Sequence, residues 1–489
     1  MIERGERIGN WTRWAKAVAM RTAVVATAAL AWPGAASAAT PAEQLNEVFG
    51  YIEELHVGGK SAEALRDAAI QGMLDELNDP YTQYYDEEQW KALFDAYEQV
   101  IVGIGIRFAK TEDGLLILRV YKDSAAERAG LREGDIVLRV DGQDVKTRTL
   151  DELADVLLGP EGSETKLEVA DGVSRIIKSV TIVRQPFHIP SVSYEMMDHG
   201  AGYIRIDSFS SDTAALVGEA LASFGAESSL QGLVIDIRGN PGGYLEAVQG
   251  VASHFIERGA LLHTVGRDGK QQAVTIRDGE KVGVPVAVLV DGGSASASEV
   301  FAGAMQDYGA AKIVGTRTYG KGSVQQLIAL DTGGGLKVTV EHYLTPKRRP
   351  VNGVGIAPDI AAETPLAATL AGLRAVGMQA AKVELLGHET VVNGVSFDDV
   401  VATIREGGRT FVPSRALAAV AGGNASWDGA TSSVKLSGPG FSATFGAGTG
   451  LLLRDGVGYI DLAAFAKAFP HIQAEAGPKS VVLEWNEHG

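Results

Sequence analysis

The chain has 489 residues, of which 45% are hydrophobic, 21% charged and 7% aromatic. This composition is typical of a folded globular protein of about three domains and excludes a wholly disordered chain. Cysteine is absent, which excludes a disulfide framework, a thiolate nucleophile, an iron–sulfur cluster and cysteine-ligated zinc. Because 61 acidic residues face 44 basic ones for a formal charge of −17, we expect no nucleic-acid partner.

The first 38 residues are predicted to be a signal peptide. Basic residues precede an apolar run at 22–32, namely Arg4, Arg7, Arg13, Lys16 and Arg21. Small residues then stand at Ala36 and Ala38, the pattern that signal peptidase reads. The apolar run is short for a bilayer span, although an uncleaved N-terminal anchor stays open. The sequence therefore predicts an exported protein of the extracellular space, cell envelope or periplasm, with membrane or cell-wall association left open.

Residues 39–99 are predicted to form an N-terminal helical region. Apolar residues recur at helical spacing in two stretches, first Leu45, Val48, Ile52 and Leu55, and then Leu65, Ala69, Met73 and Leu77. The sequence Asn78-Asp79-Pro80 then breaks the helix. These apolar faces fit ordinary packing or a dimer interface, so a homodimer also stays open.

Residues 100–185 are predicted to form short strands with two short helices. A serine cap and a glycine stop bound a helix at 124–131, and an Asp-Gly turn ends a strand at 134–142. A second helix is predicted over 150–158. The region opens on Gly103, Ile104 and Gly105, which taken alone fit a turn or a bulge equally well.

Residues 186–370 alternate predicted strands and helices. The strands at 202–206, 232–237 and 284–290 are strongly apolar, and the last reads as a strand buried on both faces. Helices are predicted at 214–224 and 244–255. This alternation predicts an α/β core.

The last region, 385–489, follows an alanine-rich stretch at 367–381 and contains an internal echo. The segment 408–417 is answered by 456–465, and each half reads as a short strand leading into a short helix. Its histidines, His388, His471 and His488, lack chelating spacing. We therefore predict no metal and no cofactor.

Three clusters in the α/β core could carry chemistry: residues 236–243, 293–299 and 320–326. Each stands at a strand-to-helix or loop junction, where side chains and N–H groups can face a ligand. A serine hydroxyl is a poor nucleophile until a base takes its proton, and a desolvated lysine can be that base.

The residues alone leave the choice of nucleophile and base open. Ser294, Ser296 and Ser298 compete as nucleophile, and the spacing of Ser296 and Glu299 also fits a helix-capping box. Taken alone, Lys321 reads as a solvated surface lysine.

With these clusters the chain resembles the C-terminal processing peptidases, exported PDZ-containing serine proteases with a Ser–Lys dyad. The resemblance runs from about residue 45 to about 360 and includes the motifs at 77–81 and 355–360. It implies that Ser296 is the nucleophile, Lys321 the general base and Gln325 the residue that orients the lysine. It also implies that the oxyanion hole consists of the N–H groups of Ala297 and Gly242.

The flanking regions resemble known modules as well. Residues 100–185 resemble a circularly permuted PDZ domain, in which a groove between a strand and a helix binds a chain terminus by strand addition. Gly103, Ile104 and Gly105 match the loop that captures the terminal carboxylate, which implies polypeptide partners bound by their C-termini. Residues 385–489 resemble the domain named after the N-terminal region of copper amine oxidases, without implying copper chemistry.

The expected fold class is thus a multidomain α/β and α+β protein: a helical region, a PDZ domain, an α/β protease core at 186–370 and a small α+β domain. Two other functions stay open. One is a Ser-His-Asp hydrolase using His254 or His342, which the absence of a G-x-S-x-G elbow weakens. The other is a non-catalytic PDZ scaffold, against which the intact serine and lysine clusters argue.

Overall fold

The computed structural model describes residues 39–226, 229–387, 389–397 and 399–486. The predicted signal peptide lies outside the described residues. The α-helices within them are α1 (Pro41–Leu55), α2 (Ala62–Leu77), α3 (Glu87–Tyr97), α4 (Ala125–Arg128), α5 (Leu150–Leu157), α6 (Thr213–Ala226), α7 (Leu245–Ala252), α8 (Ala297–Tyr308), α9 (Pro365–Ala375), α10 (Ser414–Val420) and α11 (Leu462–Ala468). None of these helices is both long and apolar enough to span a membrane.

The strands fall into successive stretches of the chain. The first two stretches hold β1 (Gln83–Tyr85), β2 (Val100–Gly103), β3 (Ile106–Lys110), β4 (Leu115–Val120), β5 (Ile136–Val140), β6 (Gln143–Asp144), β7 (Glu164–Ala170), β8 (Ile177–Val183) and β9 (Gln185–His188). The third holds β10 (Val192–Met197), β11 (Ala201–Ile206), β12 (Gly232–Asp236), β13 (Gly259–Gly266), β14 (Gln271–Ile276), β15 (Val286–Val290), β16 (Lys312–Gly315), β17 (Ser323–Ala329), β18 (Gly335–Leu344) and β19 (Ile360–Ala361). The fourth holds β20 (Ala380–Leu385), β21 (Thr390–Val392), β22 (Val395–Phe397), β23 (Ile404–Glu406), β24 (Arg409–Pro413), β25 (Asn424–Asp428), β26 (Ser433–Gly438), β27 (Phe441–Phe445), β28 (Leu451–Arg454), β29 (Val457–Asp461), β30 (Ile472–Ala476) and β31 (Val481–Asn486).

The chain forms two compact units, and the boundary between them lies between Asn78 and Asp79. The described part of the first unit is the helical pair α1 and α2, whose N-termini are capped by the side-chain oxygens of Thr40 and Ser61. The predicted break is confirmed, because α2 ends on Asn78 in the left-handed conformation, with φ of 51°. The rest of the predicted region 39–99 belongs to the second unit, where β1 pairs with β18.

The PDZ region forms one sheet in the order β3-β4-β5-β7-β8, with β6 added to β5. Both predicted helices are confirmed: Ser124 caps α4 and Thr149 caps α5, each accepting a backbone N–H at the third helical position. A hydrophobic core lies between the sheet and these helices. Because β3 is the last strand in the order, its outer edge is unpaired among the described residues.

The protease core is built on a sheet in the order β10-β11-β12-β15-β16-β19, parallel except for β10. Every residue of β12 and β15 is buried, which confirms the strands inferred from continuous apolar runs. Alternate residues face two different layers. Leu233 and Val288 pack with α6, α7 and α8, whereas Val234 and Leu289 pack with α9.

The C-terminal region confirms the internal echo. Its halves are β24 followed by α10 and β29 followed by α11, and the two strands pair antiparallel with Phe411 opposite Asp461. The region also holds a sheet in the order β22-β21-β20-β31-β30 and a three-stranded sheet, β25-β26-β27.

Helix α9 lies between the protease sheet and the C-terminal region. Leu366, Leu370 and Leu373 of α9 belong to the hydrophobic cluster that also contains Val234 of the sheet and Leu417 of α10. Most of the alanine-rich stretch that marked a boundary in the sequence therefore belongs to the buried helix that two layers share, and its last two residues begin β20.

Candidate active site

Two loops meet at the carboxyl edge of the parallel sheet, where ligands of open α/β sheets bind. One follows β12 and the other follows β15. The Ser294 hydroxyl donates to the Ile237 carbonyl at 2.8 Å, and the Ser298 hydroxyl donates to the Asn240 carbonyl at 2.9 Å. Both serines are fully buried. Two of the three competing serines are thus committed to holding the loops together.

The middle serine is held differently. Ser296 is partly exposed and precedes α8, where it forms a capping box with Glu299, and its hydroxyl donates no hydrogen bond within the described part of the chain. Its backbone has φ of 55° and ψ of −115°, a conformation that only glycine adopts without strain. The N–H of Ala297, the first residue of α8, also lacks an acceptor among the described residues, as expected at a helix N-terminus. A partly exposed hydroxyl and a backbone N–H without an acceptor therefore stand side by side, as the predicted roles of Ser296 and Ala297 require.

Gly242 closes on this serine. A Cβ at Gly242 would lie 2.8 Å from Ser296 Cβ and 3.0 Å from the nitrogen of Ala297, so only glycine allows the approach. Its N–H, however, donates to Asn240 Oδ1 at 2.8 Å. The predicted oxyanion donor is thus next to the serine but already engaged, whereas the Ala297 N–H is not.

The buried Glu299 carboxylate joins the serine to the lysine loop. Its Oε2 accepts the N–H of Ser296 at 3.0 Å and the N–H of Lys321 at 2.8 Å. Its Oε1 accepts the N–H of Gly320 at 2.7 Å and the Thr318 hydroxyl at 2.6 Å. Since one oxygen atom serves both backbones, Ser296 and Lys321 are brought together. The sequence showed Glu299 only as a capping-box residue, and this second role went unrecognised.

Tyr343 on β18 makes a second bridge. Its hydroxyl lies 3.0 Å from the carbonyl oxygen of Ser296 and 2.8 Å from that of Lys321. Burial raises the pKa of Tyr343 well above its ordinary value, so the hydroxyl stays a donor at every working pH. No sequence pattern pointed to this residue.

The Lys321 side chain is partly buried. Burial lowers its pKa, and repulsion from Lys337 lowers it further, while Glu299 and Asp79 act in the opposite direction. Its Nζ lies 5.1 Å from the centroid of the Tyr81 ring. A lowered pKa makes the neutral amine, the form that can accept a proton, more accessible.

Gln325, on β17, directs its amide elsewhere in this structure. Nε2 donates to the Ser323 hydroxyl at 2.8 Å and to the Thr339 hydroxyl at 3.3 Å. Its expected role in orienting Lys321 stays a prediction.

The predicted carboxylate loop of the PDZ region is buried. Gly103, Ile104 and Gly105 are all buried, and the N–H of Ile104 donates to the carbonyl of Leu157 at the end of α5 at 3.2 Å. The N–H of Gly105 has no backbone acceptor among the described residues. The loop is therefore fastened to the C-terminal end of α5, just before β3, whose outer edge is unpaired among the described residues.

A buried ion pair fixes the loop after β12. Asp236 is fully buried and accepts hydrogen bonds from Arg238; these bonds outweigh the effect of burial, so the pKa of Asp236 is lowered. Arg238 also donates to the carbonyl of Pro365 at 2.8 Å and to the Thr369 hydroxyl at 3.3 Å. The loop that carries Gly242 is thus tied to α9.

Neither histidine of the alternative hydrolase contacts Ser296 by a hydrogen bond in the described structure. His254 Nε2 lies 3.3 Å from the carbonyl of Ala214. His342 is exposed on β18. By contrast, Glu299 Oε2 connects the backbone N–H groups of Ser296 and Lys321.

Comparison with known families assigns all four regions. Residues 200–362 match Peptidase family S41, and residues 116–171 match the PDZ domain. Residues 11–89 match the Activating protease CtpB N-terminal domain, and residues 387–467 match the Copper amine oxidase N-terminal domain. The expected fold class and the resemblance of each module are confirmed.

Curated relatives agree. The chain is 35% identical over 325 residues to a "Probable CtpA-like serine protease" of Staphylococcus aureus (strain bovine RF122 / ET3-1), covering 66% of this chain and 65% of that protein. It therefore spans about two thirds of the length of that relative.

The chain is 31% identical over 327 residues to the "Carboxy-terminal processing protease CtpB" of Bacillus subtilis (strain 168), covering 66% of this chain and 68% of that protein. Among solved structures, the photosystem II D1 C-terminal processing protease aligns with 28% identity and a TM-score of 0.43 over 69% of this chain and 98% of that one. The chain belongs to the C-terminal processing proteases of peptidase family S41.

Proposed function

We propose that this protein is an exported serine endopeptidase that recognises polypeptide C-termini through its PDZ domain and cleaves with a Ser296–Lys321 dyad. The observation that carries the proposal is the Glu299 carboxylate, whose Oε2 accepts both the Ser296 and the Lys321 N–H groups. It supports a fixed pairing of an uncommitted serine hydroxyl with a partly buried amine.

In the proposed reaction, Ser296 Oγ attacks the scissile carbonyl carbon while its proton passes to the neutral Nζ of Lys321. The carbonyl oxygen becomes an oxyanion that accepts the N–H of Ala297, and the N–H of Gly242 joins it by sharing or releasing Asn240 Oδ1. Lys321 then returns the proton to the leaving amine, which leaves an acyl-serine that water hydrolyses. Gln325 is proposed to steady Lys321 during these transfers.

Recognition is proposed to occur at the edge of β3. An extended peptide can add to this free edge beside α5 and place its terminal carboxylate at the Gly103–Ile104–Gly105 loop. The unengaged N–H of Gly105 supports such a role, since a carboxylate needs donors at the closed end of the groove. Export is supported by the basic, apolar and small-residue pattern of residues 1–38.

Cleavage of one quenched fluorescent peptide by the full chain tests the proposal. The peptide is offered with a free apolar C-terminus and with the same end amidated, and Lys321→Arg and Lys321→Ala are assayed beside the wild type. We expect slower cleavage of the amidated peptide and no activity in either variant, because arginine keeps its proton near neutrality. The wild-type rate should rise with pH through an ionisation below the ordinary lysine value, since the Lys321 pKa is lowered.

Three outcomes contradict parts of this assignment. Activity in Lys321→Arg contradicts the role of Lys321 as the base. Equal cleavage rates for the two peptides contradict recognition of the peptide terminus by the loop. Failure of a serine-directed probe to label the wild type favours the non-catalytic scaffold. The matched variants His254→Ala and His342→Ala should leave the pH profile unchanged.

A further inference from the structure

A short turn at residues 79–82 is fixed against strand β18, which forms a second sheet with β1, β13, β14 and β17. The Asp79 carboxylate accepts the N–H of Tyr81 at 3.0 Å and the Thr82 hydroxyl at 2.6 Å. Thr82 is buried, and its Oγ1 accepts the N–H of Thr339 on β18 at 3.0 Å. The next residue, Gln83, begins β1 and pairs with β18. The turn is therefore held firmly against β18 and is not a loose connection.

This turn places an aromatic ring on the proposed base. Lys321 Nζ lies 5.1 Å from the centroid of the Tyr81 ring, within the range in which an ammonium group interacts with an aromatic face. Burial raises the pKa of Tyr81, and the neighbouring Tyr319 raises it further. The ring thus lies between its own turn and the loop that carries Lys321.

The same turn reaches Gln325. Thr339 gives its backbone N–H to Thr82 and accepts the Gln325 amide on its hydroxyl at 3.3 Å. Lys321 and Gln325, the two residues on either side of the start of β17, are therefore both supported by residues 79–82, one directly and the other through Thr339.

The charged groups that face Lys321 come from several elements. Asp79 belongs to the turn, Glu299 to α8 and Lys337 to β18, and burial has a larger effect on the Lys321 pKa than any of these charges. A ring above Nζ acts in two directions. It attracts the ammonium form, which raises the pKa of the amine. It also excludes water from the amine, which lowers the pKa. Because burial is the largest influence on the Lys321 pKa, we expect exclusion of water to be the larger of the two effects of the ring.

We infer that Tyr81 is a positioning residue of the dyad: its ring covers Lys321 Nζ, keeps water from that side of the amine and confines it to the neighbourhood of Ser296. The inference rests on the proposed role of Lys321 as the base. It gives the Asn78-Asp79-Pro80-Tyr81 motif a role beyond ending helix α2. Tyr81 itself exchanges no proton with the substrate.

The test compares Tyr81→Ala and Tyr81→Phe in the full chain, using the pH dependence of kcat for a quenched fluorescent peptide. Tyr81→Ala should lower kcat about tenfold with KM little changed, and the rising limb of the profile should move to higher pH as water reaches Nζ. Tyr81→Phe keeps the ring and should retain both the rate and the limb. Tyr85→Ala is the matched control, because the centroid of the Tyr85 ring lies 5.4 Å from Nζ of another lysine, Lys337. This variant should leave the rising limb of the pH profile in place.

A second readout does not depend on turnover. In a Ser296→Ala background, the Lys321 amine is acylated with a small amine-reactive reagent, and the extent of modification is followed by mass spectrometry across pH. The Tyr81→Ala change should shift Lys321 reactivity to higher pH. An unshifted limb and unshifted reactivity in Tyr81→Ala overturn the inference, as does an equal shift in Tyr85→Ala.

The two proposals fail in different ways. If Lys321→Arg is inactive but Tyr81→Ala leaves the profile unmoved, the dyad stands and the role of Tyr81 is wrong. If Lys321→Arg retains the wild-type profile, the dyad itself is wrong, whatever Tyr81→Ala does.

Discussion

At the scale of single residues, Ser296 has a strained backbone conformation at the position proposed for the nucleophile. A non-glycine residue with φ of 55° and ψ of −115° stores strain of about 1–3 kcal/mol. The conformation exposes the hydroxyl and leaves the Ala297 N–H free beside it, so the strain accompanies the arrangement that acyl transfer needs.

The strain can be measured by removing the side chain in two ways. Ser296→Gly and Ser296→Ala should both abolish cleavage, since neither offers a nucleophile. Only the glycine variant relieves the backbone, so its free energy of unfolding should exceed that of Ser296→Ala by about 1 kcal/mol. Chemical denaturation of both variants provides the comparison. A glycine variant that is less stable than the alanine variant contradicts the argument.

At the scale of elements, the first turn of α8 reaches across to the loop before β17. Glu299 lies in that turn and is completely buried, and its four donors come from Ser296 and from residues 318–321. A helix and a loop separated by about twenty residues of chain are thereby held in one geometry. The carboxylate is suited to this task because each of its oxygens accepts two hydrogen bonds.

Glu299→Gln should separate these elements. The amide keeps the shape but turns one acceptor into a donor, which then faces two donors without an acceptor. We expect a loss of about 2 kcal/mol or more in the free energy of unfolding and a fall of about a hundredfold in kcat from misplacement. Denaturation and peptide cleavage measure the two effects. Glu363→Gln makes the same change at an exposed site, with a side chain 77% accessible, and should alter neither.

The elements differ in how far the sequence predicts them. β12 and β15 are recognisable because a strand buried on both faces needs a continuous apolar run, and the echo in the C-terminal region predicts β24 with α10 and β29 with α11. The pairing of β1 with β18 has no local signature, since its partners are about 250 residues apart. For the same reason the sequence hid Tyr343 and the second role of Glu299.

The choice among the three candidate serines shows the same limit within one segment. Ser294, Ser296 and Ser298 have equivalent local sequence, and only the partners across the fold distinguish them. Ile237 and Asn240 accept the outer two hydroxyls, and these acceptors belong to a loop more than fifty positions earlier.

At the scale of the whole molecule, the protease core and the C-terminal region share a hydrophobic cluster. Leu373 of α9, fully buried, belongs to that cluster together with Leu289 of the sheet and Phe465 of α11. Separate domains have separate cores. These two regions should therefore unfold together.

Leu373→Ala tests this unity. Creating a cavity at this site should lower the free energy of unfolding by about 2–5 kcal/mol, and hydrogen exchange should show protection falling equally in peptides from β15 and from α11. Leu453→Ala, at a position 52% exposed, is the control and should change stability by less than about 0.5 kcal/mol. Loss of protection in the C-terminal region alone would contradict a shared core.

The contacts of Arg238 with α9 have a thermodynamic consequence. Arg238 joins the Gly242 loop to a helix whose other side carries the C-terminal region, so a shift of α9 changes the surroundings of both. A molecule that binds the C-terminal region and favours one position of α9 would alter the affinity of reversible ligands at Ser296 to the extent that the Gly242 loop follows the helix. By reciprocity, those ligands must alter its affinity by the same factor. Arg238 is the hydrogen-bonded link between the Gly242 loop and α9 through which such an influence would pass.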